Sequence, residues 1–349
     1  MLFRCSSDAS FDEKGLHSLP YMLTMTGSKW DSTKYLYQQN VLQVPSKCPS
    51  CGAGVGYKKD PYLADFTFKR GNCDKGPSDF KACFTYRCKN RACSLQQSIF
   101  ADTFFENQKK PVNEILMCLF LWLSVSPPAM TQTLLGWGEK TVLHYFRLFR
   151  IMVSHYMMEF VAQDISEDIF TYDKVQIGGP GIEVQIDESA FGKRKYGLGH
   201  PVSTKWVFGG VEIVPDAYMK KTGGKFFAVV VKDRTKETLD DVIKKFIKPG
   251  SIIISDSFSS YKKLGERMSQ YEHDMVNHSK NYKDPTTGAC TNTVEGKWNK
   301  LKKAIPRQGF RDETVLQEYL GEQMWRYTNR FNLWEAAILA LAAYVKREI

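Results

Sequence analysis

The sequence has no long apolar run. Its longest, residues 115–125, is about half of the roughly 20 residues that a membrane-spanning helix needs, so a buried helix explains it better. Residues 1–10 hold no basic segment followed by an apolar one, so we expect no secretory signal. Internal repeats and low-complexity tracts are missing as well. We therefore expect a soluble, intracellular protein without a membrane partner.

The sequence also has no excess of acidic over basic residues. The 48 Lys and Arg residues outnumber 38 Asp and Glu, for a net charge of +10. This balance favours a polyanionic partner, either nucleic acid or an anionic membrane surface. Hydrophobic residues make up 43% of the chain, which is enough for a sizeable core and argues against global disorder. The length of 349 residues predicts two or three folded domains.

Residue patterns divide the chain into four segments. Residues 1–40 show no strong period, and we interpret them as a loosely ordered N-terminal arm. Residues 41–110 are turn-rich and hold six of the nine cysteines. Residues 111–170 have a helical period, and residues 171–349 begin with alternating patterns that are typical of strands. We predict a separate role for each segment.

The cysteines favour metal ligation or buried thiols over disulfides, because their number is odd and a reducing compartment is expected. The two suggestive pairs are Cys48 with Cys51, and Cys88 with Cys93. Two such pairs can bind one Zn²⁺ through four thiolates, so we predict a zinc ribbon over residues 41–110. The gap between the pairs is long for a ribbon, so Cys73 or Cys83 could replace a ligand. A set of buried free thiols is the other alternative.

Residues 111–170 predict a helix, a short helix, a turn at Gly136-Trp137-Gly138 and a longer helix. This order is typical of a helix-turn-helix DNA-binding domain. On the longer helix, one face would enter a major groove or contact phosphates. That face carries Lys140, His144 and Arg147. We expect the buried side to carry Leu143, Phe146 and Phe149.

From residue 180 onward the period indicates an α/β domain. Strands are predicted near residues 182–186, 206–213, 225–231, 251–255 and 275–276. Helices are predicted over residues 235–246, 257–266, 293–304 and 314–346. An RNase H-like fold has this order, with an antiparallel three-strand meander joined to a parallel pair in a mixed five-stranded sheet that helices flank.

Three acids fall where this topology would bring them together. Asp187 ends the first strand and Asp256 ends the fourth, which would be its neighbour in the sheet. Glu295 opens a helix that can pack across the same edge. Close carboxylates repel one another unless cations compensate, and their hard oxygen atoms suit Mg²⁺ or Mn²⁺. Two such ions would support phosphodiester cleavage and strand transfer.

Each acid also has a structural explanation. Asp256 could cap the next helix, and Glu295 together with Asn292 fits a capping box. An Asp at a strand end, such as Asp187, commonly caps a turn. Neighbouring acids such as Glu188 are expected to be solvated or paired.

Basic residues flank the three acids. The helix that carries Glu295 would expose Lys297, Lys300, Lys302 and Lys303. The first catalytic strand is followed by Lys193, Arg194 and Lys195. Both groups would neutralise DNA phosphates near the reacting bond, or they are simply solvated charges. Trp298 is expected in the core, with base stacking as its alternative.

Three sequence blocks resemble the Merlin superfamily of DNA transposases and its bacterial insertion-sequence relatives. The first block is residues 186–189, 191–195 and 206–212, the second is Asp256 with residues 259–261, and the third is His278 with residues 291–298. The resemblance covers about residues 180–330, and the upstream cysteine pairs and helices fit it. It implies a cut-and-paste transposase whose Asp-Asp-Glu triad is Asp187, Asp256 and Glu295.

The resemblance also implies partners and cofactors. These are two Mg²⁺ or Mn²⁺ ions per active site, terminal inverted repeats and target DNA in double-stranded form, and assembly into at least a homodimer. A metal-dependent nuclease or resolvase without strand transfer is one alternative. A non-enzymatic DNA-binding protein derived from a transposase is another, and the complete triad argues against it. We expect a nuclear location in a eukaryote and otherwise the cytoplasm or nucleoid.

Overall fold

The computed structural model describes residues 16–43, 45–57, 84–157, 176–192, 204–215, 221–276, 291–306 and 312–344. The chain divides into two compact units. The first contains Met1–Met152 and Asn329–Ile349, and the second is Val153–Thr328. Among the described helices, none is both long and apolar enough to cross a membrane. The four-segment division of the sequence stays a prediction.

The first unit begins with two helices, α1 (Leu19–Thr26) and α2 (Lys29–Gln38). We predicted a loosely ordered arm here, and over residues 19–38 the structure is helical instead. The reason is tertiary: Leu36 is fully buried, and the Trp334 Nε1 donates a hydrogen bond to the Tyr35 hydroxyl over 2.8 Å. These partners are distant in sequence, so the local period did not reveal them.

A three-stranded antiparallel sheet follows, built from β1 (Val55–Tyr57), β2 (Thr85–Cys88) and β3 (Gln96–Ser98) in that order. Residues 58–83 lie outside the described part of the chain. The alternative zinc ligands Cys73 and Cys83 are therefore not located.

The predicted run of three helices is present as α3 (Val112–Leu123), α4 (Pro128–Leu135) and α5 (Glu139–Met157). Gly136 ends α4 in the left-handed conformation, with φ of 64°, which glycine adopts at low cost. Trp137 in the same turn is buried, and its Nε1 donates to the Glu114 Oε2 of α3 over 2.8 Å. The turn is thereby fixed against α3.

One detail of the α5 prediction is wrong. Phe146 and Phe149 are buried as expected, but Leu143 is 47% exposed. Leu143 directly precedes the exposed His144, so the apolar stripe of α5 is narrower than the sequence pattern indicated.

The second unit contains the predicted mixed sheet. Its strands are β4 (Glu183–Phe191), β5 (Lys205–Pro215), β6 (Lys221–Val231), β7 (Ile252–Asp256) and β8 (Glu272–Val276). Their order is β6-β5-β4-β7-β8. The pairs of β4 with β5 and of β5 with β6 are antiparallel, whereas β4 with β7 and β7 with β8 are parallel. The prediction of a meander joined to a parallel pair is confirmed.

The helices of this unit are α6 (Lys236–Phe246), α7 (Leu264–Arg267), α8 (Asn292–Ala304) and α9 (Glu313–Thr328). The single helix predicted over residues 257–266 is wrong. A 3₁₀ turn at Ser259–Tyr261 and α7 replace it, because Lys263 takes the left-handed conformation and interrupts the helix.

The single helix predicted over residues 314–346 is also wrong. The chain leaves α9 at Thr328 and begins α10 (Leu333–Ala342) in the first unit. Asn332 N–H donates to the Asn329 carbonyl over 2.9 Å, which closes a turn between the two helices. Asn favours turns over helix interiors because its side chain competes for backbone hydrogen bonds.

Two adjacent glycines in β5 make room for large rings on opposite faces of the sheet. A Cβ on Gly209 would lie 2.6 Å from the Trp298 ring of α8 and 2.6 Å from the Phe227 carbonyl oxygen. A Cβ on Gly210 would lie 2.7 Å from the Phe227 ring, which stacks on Phe246 of α6 at 4.8 Å. The pair therefore determines how closely α8 approaches one face and Phe227 the other.

We predict that Gly209→Ala destabilises the protein by about 1–3 kcal/mol, because a backbone carbonyl cannot move aside for the new methyl group. Urea unfolding measures the change. The matched control is Gly296→Ala in α8, where a Cβ would meet no atom within 4 Å. Helix propensity predicts that the control is neutral or stabilising by up to about 1 kcal/mol. Equal stabilities for the two variants would contradict the packing argument.

Candidate functional site

The parallel pairing of β4 and β7 places two of the predicted acids side by side. The register pairs Glu183 with Ile252 and Gln185 with Ile254. Continuing the same register by two residues puts Asp187 opposite Asp256. Both carboxylates therefore lie where β7 ends. The prediction that Asp187 ends its strand is wrong, because pairing with β5 continues β4 to Phe191.

Helix α8 runs along β4 and is held to it by hydrogen bonds at three levels. The buried Gln185 Oε1 accepts from the backbone N–H groups of Thr293 and Val294, at 3.0 and 3.2 Å. The remaining two bonds run from Trp298 Nε1 to Asp187 Oδ2 over 2.9 Å and from Lys302 Nζ to Ser189 Oγ over 2.6 Å.

The spacing of these bonds explains why a strand and a helix can match. Two residues along a strand advance by about 6.6 Å. Four residues along a helix advance by about 6 Å. Alternate residues of β4 therefore meet successive turns of α8, and Asp187 lies at the middle level.

Glu295 projects from the flank of α8 that faces β7. The opposite flank is identified by Lys297, whose ammonium lies 4.2 Å from the Phe226 ring of β6 and 4.1 Å from the Tyr327 ring. Two helical residues are separated by about 200° around the axis, so Glu295 points away from β6. This is the side on which Asp256 lies.

The electrostatics agree with that placement. The pKa of Asp187 is raised to about 6, mainly by burial and also by the negative charges of Asp256 and Glu295, while the Trp298 hydrogen bond acts in the opposite direction. A raised pKa is expected for a carboxyl group that shares a site with two other carboxylates in the absence of a cation.

The alternative capping roles that the sequence suggested for Asp256 and Glu295 are found only in part. Asp256 Oδ1 accepts the Phe258 N–H over 3.0 Å, so this residue does shape the following turn. Glu295 forms no capping box with Asn292, because Asn292 is already the first helical residue and Gln185 supplies the cap. Instead the Thr291 hydroxyl donates to Glu295 Oε1 over 3.2 Å.

Glu188 lies on the other face of β4 and is paired, as expected. It accepts a short hydrogen bond from the hydroxyl of Tyr261, a buried residue of the 3₁₀ turn. Burial raises the pKa of Glu188 to about 7, and the charges of Asp187 and Asp256 contribute to the rise. A fourth acid therefore borders the three predicted ones.

The donor atoms at this site fit a divalent metal ion by their chemistry. They are carboxylate oxygens, which Mg²⁺ and Mn²⁺ prefer. A cation would also relieve the repulsion that raises the pKa of Asp187. The three carboxylates influence one another electrostatically. Unlike the sulfur atoms of the four cysteines described below, they do not already form a compact metal-binding group. The candidate ligands are Asp187, Asp256 and Glu295.

The predicted basic residues of α8 are placed differently from one another. Lys300, Lys302 and Lys303 are exposed, as expected. Lys297 is only half-exposed and lies over two aromatic rings. The ammonium of Lys302 donates to Ser189 Oγ, and the charge of Asp187 acts on it. The predicted DNA contacts Lys193, Arg194 and Lys195 lie outside the described residues.

The second predicted site, in the first unit, gathers four cysteines. The sulfur atoms of Cys48, Cys51, Cys88 and Cys93 all lie within 4.8 Å of one another. Cys48 and Cys93 are 3.7 Å apart, and Cys51 and Cys88 are 3.5 Å apart, so all four are free thiols. The Asn90 N–H donates to the Cys88 sulfur over 3.3 Å. These four residues form a group that could hold a metal ion.

On α5, Lys140, His144 and Arg147 are all exposed on one side of the helix. This is the face on which the sequence placed them.

We call the region around Asp187, Glu188, Asp256 and Glu295 the acidic edge. Sequence reasoning missed three contacts there. Gln185 as the cap of α8, Trp298 as a hydrogen-bond donor to Asp187, and Tyr261 as the partner of Glu188 were not foreseen. One signal was available for the first two. Gln185, Asp187 and Ser189 put polar side chains on one face of a strand at the centre of the sheet, and buried polar groups require partners.

Comparison with known proteins identifies the family. The family described as ISXO2-like transposase domain matches residues 171–328, which include the whole five-stranded sheet and α8. A protein of Haemophilus influenzae described as an uncharacterized transposase-like protein is 30% identical over 105 residues, which cover 30% of this chain and 82% of that protein. The chain therefore belongs to a transposase family, and its residues 171–328 are similar to the ISXO2-like transposase domain.

Proposed function

We propose that this protein is a DNA transposase that cuts DNA at terminal inverted repeats and joins the ends to target DNA. The observation that carries the proposal is the register of β4 with β7 and α8, which supports Asp187, Asp256 and Glu295 as one catalytic triad. The same topology supports an RNase H-like catalytic domain. The three sequence blocks favour the Merlin superfamily as the narrower assignment.

The three acids would hold two Mg²⁺ or Mn²⁺ ions, which together activate the attacking oxygen and stabilise the leaving one during phosphodiester cleavage. The protein's own groups orient the ligands. Trp298 fixes one oxygen of Asp187, and the Phe258 N–H fixes one oxygen of Asp256. Both side chains are thereby held in place before substrate binds, which is the condition for a precise site.

We further propose that the four cysteines bind one structural Zn²⁺ in a zinc ribbon. Tetrahedral Zn–S bonds of about 2.3 Å place sulfur atoms about 3.8 Å apart, close to the observed 3.5 and 3.7 Å. The Leu95 N–H lowers the pKa of Cys93 to about 7, which favours a thiolate there. Without the ion, burial raises the pKa of Cys88 to about 12, as expected for thiols too close to ionise together.

The helix-turn-helix proposal rests on the exposed face of α5. Lys140, His144 and Arg147 would contact the terminal repeats there, and two copies of the chain would hold paired ends as a homodimer. Lys300, Lys302, Lys303 and residues 193–195 would contact DNA near the reacting bond. A nuclear location in a eukaryote, or otherwise the cytoplasm or nucleoid, completes the proposal.

Asp256→Asn is predicted to reduce cleavage and joining by at least about 10³-fold, because it removes a metal ligand while keeping the side-chain shape. The assay combines a duplex that carries the DNA flanking the coding region, a target plasmid and Mg²⁺. Glu272→Gln is the control, since it removes an exposed carboxylate from the opposite end of the same parallel strand pair and should leave activity unchanged.

The products separate the candidate functions. Cut ends without joined products from the wild type would indicate a nuclease, and the transposase proposal would fall. Unchanged cleavage by Asp256→Asn would contradict the site assignment. Binding of DNA with no cleavage under any divalent ion would favour a DNA-binding protein derived from a transposase.

Trp298→Phe is predicted to weaken Mn²⁺ binding at low pH. The variant keeps an aromatic ring but loses the N–H donor that favours the charged form of Asp187. The pKa of Asp187 then rises above about 6, so protons compete with the metal at higher pH. The pH at which half of the Mn²⁺ binding is lost should shift upward by about 0.5–1 unit.

Electron paramagnetic resonance of free Mn²⁺ measures this binding without turnover. Asp187→Asn serves as the reference, because it has no group that titrates at this position. A midpoint in Trp298→Phe that equals the wild-type midpoint would show that the indole only fills space.

Cys88→Ser is predicted to lose Zn²⁺ and to unfold the small sheet of β1, β2 and β3. Cys118→Ala, which removes a buried thiol from α3, should keep the metal. Elemental analysis of both variants gives the metal content, and Co²⁺ substitution reports thiolate ligation by its absorption. Full zinc content in Cys88→Ser would contradict the assignment of this ligand.

A further inference from the structure

The guanidinium of Arg234 lies between two aromatic rings. Its central carbon is 3.8 Å from the centre of the Trp206 ring and 4.9 Å from the centre of the Phe258 ring. All three side chains are partly exposed. We call this set the Arg234 sandwich. Contact with two rings restricts the position of the guanidinium and lowers the entropy that its side chain would lose on binding a ligand.

The topology places this sandwich at the acidic edge. Trp206 belongs to β5 and pairs with Ala190 of β4, whereas Phe258 follows Asp256 at the end of β7. In the sheet, β4 lies between β5 and β7. A cation that contacts both rings must therefore lie across the C-terminal part of β4. Consistent with this, the charge of Arg234 lowers the pKa of Glu188, although burial and the neighbouring acids outweigh it.

Arg234 has no partner for its hydrogen-bond donors within the described part of the chain. No carboxylate there forms an ion pair with it; the guanidinium contacts the two rings, and its charge acts on Glu188. A guanidinium has five N–H donors in one plane, arranged to bind two oxygens of a phosphate at once. The two rings offer no strong acceptor, so the donors stay available for a ligand. An arginine in this state is preorganised for an anion.

The anion at this edge must come from the substrate. Four acids border the site, and they repel a DNA phosphate that approaches them. A fixed cation at the rim offsets this repulsion without ligating the metal ions. A backbone phosphate is tetrahedral, and its two non-bridging oxygens are the paired acceptors that DNA presents at every nucleotide.

We propose that Arg234, held by Trp206 and Phe258, binds a backbone phosphate of the DNA strand next to the bond that is cut. The proposal rests on the proposed function for the presence of DNA at this edge. It adds a phosphate-binding site that is separate from the metal ligands and from the basic residues of α8. Because the rings limit where the guanidinium can reach, the site selects one phosphate, or two adjacent ones, along the strand.

The test is a double-mutant cycle between the protein and the DNA backbone. Duplexes of the flanking DNA carry a single uncharged methylphosphonate, moved one position at a time along the strand. Fluorescence anisotropy measures their binding to the full chain with Ca²⁺ in place of Mg²⁺, so that binding is read without dependence on cleavage. In the wild type, neutralising the contacted phosphate should weaken binding roughly tenfold. In Arg234→Gln, the same modification should cost nothing further.

The matched control is Lys236→Ala, which removes one exposed positive charge two residues away. It should lower affinity for all probes to a similar extent and leave the methylphosphonate effect intact. Arg234→Lys keeps the charge but loses the planar fork, so it should retain less than half of the coupling. Arg234→Gln should also reduce the slope of log K against log salt by about 1 relative to the wild type.

Additive effects of Arg234→Gln and the methylphosphonate at every position would overturn the proposal. So would an Arg234→Gln phenotype identical to that of Lys236→Ala. If Arg234→Gln melts at a lower temperature, Arg234→Lys and the wild-type methylphosphonate scan still decide between these outcomes. Coupling observed in a protein that cleaves no DNA would support this site while contradicting the transposase proposal, so the two failures are distinct.

Discussion

The polar face of the central strand β4 is the constraint on which the second unit depends. In most sheets of this kind a central strand is apolar on both faces, because helices cover both. Here Gln185, Asp187 and Ser189 face α8, and each obtains a hydrogen bond from that helix. A buried polar group without a partner costs about 1–3 kcal/mol, so this face permits only one position of α8 along the strand. That position also decides where Glu295 lies.

The same arrangement places several carboxylates close together in a partly buried region, where their ionised forms are unfavourable. Burial and neighbouring acids raise the pKa of both Asp187 and Glu188, so the ionised, metal-free site opposes folding near neutral pH. A divalent ion, if bound to the ionised carboxylates as proposed, would reverse the sign of this contribution. A site of this kind is typical of catalysis and is not explained by stability. Within a transposase family, it is consistent with phosphodiester chemistry.

The two faces of β4 carry different groups near Asp256. On one face, α8 brings Trp298 and Glu295 to Asp187. On the other, Tyr261 holds Glu188, and Arg234 lies between its two rings. β7 ends at Asp256, next to β4. The proposed role of the acids is to bind metal ions, and the proposed role of Arg234 is to bind a phosphate beside them.

Local patterns in the sequence were sufficient for the strands of the sheet, the three-helix run and the cysteine pairs, because periodicity and ligand spacing are properties of neighbouring residues. The catalytic role of the three acids stays a prediction. Local patterns failed where distant partners decide the structure: α2 is held to Trp334, and α10 returns to the first unit after a turn at Asn329–Asn332. The sequence by itself determined which residues can ligate metals and in which order the strands occur. Only the tertiary structure decided that Trp298 touches Asp187, that Tyr261 holds Glu188 and that Arg234 crosses the end of β4, because each contact joins elements whose register depends on the packing of the whole sheet.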